Sequence, residues 1–248
     1  MNFVRCWINS VRPSIGHAEP SAPPDNLDFN LWCGPAPDKA YRKNLVHYHW
    51  HWRWDYGTGE CGNNGIHALD VARWGLGFDF PETITCGGGK YFFDDDQETP
   101  DTQLATFDVP GACVQWEHRT WSRRGIDGEG FGVEFYGSKA TLVTNGRGWV
   151  VYEGAGKDEK VAARHESNDK QKAHQQNFLD CIVSREKPNA DIEIGYRSTL
   201  LCLLANIAWR SRSVVRFDKE RETIVGNEAA AQLMGREYRK GFELPEIA

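Results

Sequence analysis

Residues 55–76 read DYGTGECGNNGIHALDVARWGL, and within them Gly57-x-Gly59-x-x-Gly62 runs into a helix-like segment. Glycines at that spacing make a dinucleotide-binding turn when they follow an apolar, buried parallel strand and when an acidic residue ends the next strand about 20 positions on. Neither condition holds here. The preceding residues, HYHWHWRWDY (47–56), put His47, His49, His51, Arg53 and Asp55 at alternate positions, so a strand through them has one polar, charged face. A central parallel strand does not tolerate such a face. Asp79 and Glu82, at about the right distance, precede the next strand rather than end it. The glycines are therefore read as a turn into a helix over 65–74, with Asn63 or Asn64 as N-cap and Gly75 and Gly77 as the stop.

Outward from that turn the chain alternates clear signals. FVRCWI (3–8) suits a short strand, and Pro13, Gly16, Pro20, Pro23 and Pro24 forbid regular structure after it. Strands are expected around 83–92, 102–109, 112–121, 131–136, 140–144 and 148–152. The breaks between them, such as Pro110-Gly111 and Gly137-Ser138, are short enough to make neighbours largely antiparallel. Apolar residues spaced three and four apart predict helices over 170–186 and 193–211, followed by a short strand, VVRF. The result is an α+β layer architecture, one domain over 1–248, with two late helices covering one face of a sheet of about six strands.

Composition narrows the function. A chain of 248 residues that is 40% hydrophobic can bury a real core. A formal charge of −6 with no basic run argues against nucleic acid and favours a small polar or neutral ligand. There is no apolar run of membrane-spanning length and no signal-peptide pattern, so no membrane partner and a cytoplasmic location are expected. The seven cysteines lack any Cys-x-x-Cys pair and are read as reduced, mostly buried thiols.

Two features carry chemistry, the histidine-rich stretch and the Asn63/His67 pair. In an extended chain His47, His49 and His51 share a face at about 6.6 Å spacing, and such imidazoles can hold a divalent metal with Glu60 or Asp55 close by. That would make a metal-dependent sugar hydrolase or lyase. The same face can instead line a sugar cleft, with Arg12, Trp32, His49, His51, Asp55 and Tyr56 binding the ligand. Ten tryptophans suit sugar stacking. The acidic run 94–98 lacks the ligand spacing of a calcium loop and reads as a solvated turn. Asn63 and His67 lie four apart and can share one helix face.

The segment GTGECGNNGIHALD (57–70) resembles the glycine-rich turn and helix that carry the catalytic histidine in the Gfo/Idh/MocA family of NAD(P)-dependent sugar and cyclitol oxidoreductases. The resemblance continues through LDFNLWCGPAPDKAYR (27–42), FDDDQETPDT (93–102), FGVEFYGSKATL (131–142), HQQNFLDCI (174–182) and ADIEIGYRSTLLCLLANIA (190–208). It implies the carboxyl-terminal domain of that family, an open-faced, mainly antiparallel sheet with helices on one side, and His67 as acid/base toward a sugar or cyclitol hydroxyl. It also implies a homo-oligomer through the open sheet face. The family places a Rossmann domain and a Glu-Lys-Pro lysine before this region, whereas here the first strand starts at once. NAD(P) is then expected only if a Rossmann domain is supplied, with none bound by this chain alone. The family pattern has aspartate where this sequence has Asn63, and an amide neither relays a proton nor raises the imidazole's basicity as a carboxylate does. A non-catalytic sugar-binding module remains the third reading.

Overall fold

The structure, a computed structural model, describes residues 1–166 and 170–245. Its strands are β1 (Phe3–Asn9), β2 (Thr83–Gly89), β3 (Thr102–Val109), β4 (Ala112–Arg119), β5 (Phe131–Tyr136), β6 (Ala140–Thr144), β7 (Gly148–Glu153), β8 (Lys160–Glu166), β9 (Val215–Asp218) and β10 (Thr223–Val225). Its α-helices are α1 (Phe29–Cys33), α2 (Ile66–Leu76), α3 (Lys170–Ser184), α4 (Ile192–Ser211) and α5 (Glu228–Ala231). Among the described residues the strands form one sheet of ten, in the order β10-β9-β2-β3-β4-β1-β5-β6-β7-β8. The expected sheet of about six is thus too small. β8, KVAARHE, is exposed along its length and pairs only with β7, so its residues carry no burial pattern to read.

The antiparallel expectation holds for every pairing except one. β1 lies parallel to β4, from Phe3 opposite Cys113 to Asn9 opposite Arg119, and antiparallel to β5 on its other side. Alternation along β4 sends Val114, Trp116 and His118 inward, while Cys113, Gln115, Glu117 and Arg119 face outward. The outward face is polar. Arg5 Nη2 donates to Glu117 Oε2 at 2.9 Å, and Arg119 Nε donates to Asn9 Oδ1 at 2.8 Å.

On the inner face α2 and α4 pack against each other, α4 over β2 and α2 against β1 and β5. Leu69 and Ala72 meet Leu201, Leu204 and Ala205 in the same buried cluster as Val4, Ile84, Phe107 and Trp116. The expectation that both late helices cover the sheet is corrected for α3. It stays at the surface with Phe178, Leu179, Ile182 and Val183 exposed, and α2 takes the inner place instead.

Two boundaries move for visible reasons. The strand expected over 83–92 stops at Gly89, because the Asp101 carboxylate accepts the backbone N–H groups of Tyr91, Phe92 and Phe93 and turns the chain away. The helix expected to stop at Gly75 runs to Leu76 and ends at Gly77, whose φ of 70° is left-handed. Gly75 answers a packing need: a Cβ there would lie 2.4 Å from the Phe135 ring. Neither Asn63 nor Asn64 caps α2, because residues 61–65 already form a π turn leading into it. All seven cysteines are free, and Cys6, Cys33, Cys61 and Cys202 are buried. Among the described residues no helix is long and apolar enough to cross a membrane.

Candidate functional site

The histidine-rich stretch is not a strand. His49–Trp52 forms a single 3-10 turn, and the chain turns again so that Arg53 O accepts from both Tyr56 and Gly57 N–H. Gly57 packs onto this turn with no room for a side chain: a Cβ would sit 2.6 Å from His51 O and 2.7 Å from Trp50 O. Extended alternation is therefore lost, and with it the shared face on which the metal reading of His47, His49, His51 and Glu60 rested. Among the described residues no group of three or more His, Cys, Asp or Glu side chains is placed to hold a metal ion. The glycines also have local duties unrelated to phosphate. Gly59 sits at φ 66° against Thr99. The element directly before them is the His49–Trp52 turn and not a strand, so the geometry does not fit a dinucleotide turn.

Glu60 opens the π turn, a helix form found often at functional sites. Its side chain is fully buried. Arg12 Nη2 donates to its two carboxylate oxygens at 3.2 and 3.3 Å, and Asn64 Nδ2 donates to Oε1 at 2.5 Å. Arg12 reaches out from that anchor: Nη1 donates to Tyr48 Oη at 3.1 Å, and the guanidinium lies 5.9 Å from the Trp52 ring centre. A buried carboxylate requires such a set of donors, and the same set holds Arg12 in one orientation. The neighbouring polar residues remain outside. Asn63 is half-buried in the π turn, and His67, in the first turn of α2, is exposed.

The other candidate residues separate from this cluster. Trp32, Trp50, Asp55 and Tyr56 line a cleft of about 290 Å³ together with Arg236 from the end of the chain. The Asp55 carboxylate pairs with Lys39. Burial, followed by the Cys33 thiol that approaches its hydroxyl at 3.6 Å, pushes the Tyr56 phenol well above its ordinary value. His51 bridges the two groups, with its ring 4.4 Å from Tyr48 and 3.8 Å from Trp50.

Two structural elements escape a reading of the sequence. The acidic run 94–98 is a knot rather than a solvated turn. Asp95 accepts from Ser14 Oγ, Ile15 N and Gln97 N, and Asp96 accepts from Asn44, Ala18 N and Arg53. Burial raises both carboxyls, but these donors outweigh it and hold both below the usual carboxylate range. The second is a buried relay from sheet to glycine loop: Gln103 Nε2 donates to Asn206 Oδ1 at 3.1 Å, and Asn206 Nδ2 donates to Thr58 O at 2.8 Å. An amide on an otherwise apolar helix, such as Asn206 in LLANIAW, was the available signal.

This arrangement of sheet, π turn and paired helices has relatives. The family model described as "Oxidoreductase family, C-terminal alpha/beta domain", of Gfo/Idh/MocA proteins, matches residues 12–88 and 137–244. The chain belongs to the Gfo/Idh/MocA family.

Solved structures of similar fold agree at low identity. A putative NADPH-dependent oxidoreductase from Desulfitobacterium hafniense superposes with a TM-score of 0.61 at 14% identity, covering 87% of this chain and 56% of its own. Aldose-aldose oxidoreductase from Caulobacter crescentus, complexed with glycerol, gives 0.61 at 13% identity, covering 87% and 55%. The WlbA dehydrogenase from Bordetella pertussis, in complex with NADH and UDP-GlcNAcA, gives 0.53 at 13%, covering 88% and 54%. The chain thus spans little more than half the length of these Gfo/Idh/MocA structures. No curated protein matches the sequence closely enough to count as a relative.

Proposed function

We propose that this chain is the substrate-binding and oligomerisation domain, over residues 1–248, of a carbohydrate or cyclitol oxidoreductase, with His67 as the acid/base and Asn63 as its orienting neighbour. The observation that carries this reading is the division of labour at the π turn. Glu60 is committed inward to Arg12 and Asn64 to Glu60, while the imidazole of His67 is exposed on the helix that follows. An exposed imidazole can take the proton of a substrate hydroxyl as that carbon is oxidised. Asn63 offers hydrogen bonds to such a hydroxyl without titrating. The glycine loop does not fit a pyrophosphate, so the reading leaves hydride acceptance to a nucleotide-binding domain outside residues 1–248. The polar outward sheet face, with Arg5, Glu117 and Arg119 half-buried, suits a second copy of the chain.

In an assembly that includes the nucleotide-binding domain, sugar-dependent reduction of NAD⁺ or NADP⁺ should fall by about 10²-fold or more in His67→Ala, with sugar affinity kept. Equal turnover by variant and parent overturns the assignment. Sugar binding without turnover in either protein leaves a binding module in its place.

A further inference from the structure

The cleft between Trp32 and Arg236 shares no wall residue with Arg12, Asn63 or His67. It is nevertheless a built feature. Trp32 lies flat on Phe29, with ring centres 5.6 Å apart and planes at 14°, and leans on Tyr56 at 4.9 Å. Phe29 is braced edge-on by Tyr41 at 5.2 Å. The short helix that carries Trp32 is capped by Asp28 and held from outside by Arg239, which donates to Asn30 O and Gly34 O. The indole therefore has its orientation before any ligand arrives.

Polar groups ring this aromatic shelf. Asp55 presents a carboxylate partnered by Lys39, and Arg236 gives one hydrogen bond to Asp55 O at 3.1 Å from an otherwise exposed side chain. A flat apolar wall with charged donors and acceptors at its edge suits a pyranose ring, whose CH face stacks while its hydroxyls reach outward. A volume of about 290 Å³ accommodates one such ring. The row Arg12, Tyr48, His51 and Trp50 runs without a gap from the buried Glu60 to this cleft, in steps of 3.1, 4.4 and 3.8 Å.

We infer that the Trp32–Tyr56–Arg236 cleft is a glycosyl subsite separate from the His67 site, and that the substrate class is a glycoside or oligosaccharide rather than a free monosaccharide. The inference rests on the sugar reading proposed above. One sugar unit stacks on Trp32, and the next lies along the Trp50–His51–Tyr48 row toward Arg12.

Isothermal titration calorimetry on the 248-residue chain tests it, with D-glucose, D-galactose and D-mannose set against cellobiose, lactose and mannobiose. At least one disaccharide should bind about tenfold tighter than its monosaccharides, the size of a single aromatic stacking contact. Trp32→Ala should erase that advantage, His67→Ala should keep it, and Arg236→Ala, a change at an exposed position that leaves the fold intact, should reduce it several-fold. Equal binding of mono- and disaccharides, or an advantage that survives both Trp32→Ala and Arg236→Ala, overturns the subsite and leaves the sugar reading standing. If none of the six sugars binds, both fail together.

Discussion

Asp101 and His67 are both polar side chains beside glycine-rich or proline-rich turns, yet the protein uses them in opposite ways. Asp101 is fully buried and accepts from three consecutive backbone N–H groups and from Thr102 Oγ1 at 2.8 Å. Among the described residues, no hydrogen bond reaches the exposed imidazole of His67. A buried charge is stable only when its lone pairs are filled, so the loop from Lys90 to Asp101 is shaped around its carboxylates. A charge or imidazole left in water needs no partner from the protein and is free for a ligand. The contrast separates polar residues that build the site from those that would act in it.

The largest effect should come from removing the builder. Asp101→Ala leaves three N–H groups without their acceptor and should lower stability by about 3 kcal/mol in urea unfolding. A loss under about 1 kcal/mol would show that the loop closes without it. Glu60→Ala comes next, at about 2 kcal/mol, because Arg12 loses its buried partner. Adding Arg12→Met should recover part of that loss, and strict additivity in the double-mutant cycle would mean that the pair is not coupled.

Acid should act on the same group of residues. Asp95 and Asp96 have folded values below the unfolded carboxylate value of about 3.9. Their contribution is complete above that pH and is lost as pH falls through the folded values. His118 is buried, and burial lowers its folded value below about 6.5. The unfolded chain therefore takes up this proton first, so stability should begin to fall below about pH 6.5 and drop further below about 4. A stability curve flat from pH 7 to pH 5 in wild type would rule out the His118 contribution. The smallest effect belongs to His67→Ala, which should change stability by no more than about 0.5 kcal/mol. A larger loss would mean that the imidazole is structural after all.

Much of the fold could be read from periodicity. The strands from 102 to 153, the helix at 193–211 and the antiparallel pairing all follow from spacing and turns: β3 and β4 bury alternate residues, and short turns join the strands after them. Two features followed no local pattern. HYHWHWRWDY alternates like a strand, but it folds as a turn because Gly57 lets the backbone close over Trp50 and His51. The pairs Arg12–Glu60 and Asp96–Asn44 lie 48 and 52 residues apart, and Arg236 meets Asp55 across 181, so none has a local signature. His67 enters as a proposal, through the resemblance of its segment to a family motif. The inward role of Glu60 was not legible, since its partner Arg12 lies 48 residues away and the sequence offered it instead as a metal ligand beside the histidines.

The parallel β1 has a consequence for how the chain is made. Phe3 pairs with Cys113 on one side and Tyr136 on the other, so the middle of the ten-stranded sheet closes only around the first few residues. During synthesis VRCWI, an apolar segment with high strand propensity, cannot complete its pairing until residue 136 has been made. Contacts of that sequence separation slow folding and leave an open strand edge through much of synthesis. Held by β4 on one side and β5 on the other, β1 joins the two halves of the sheet.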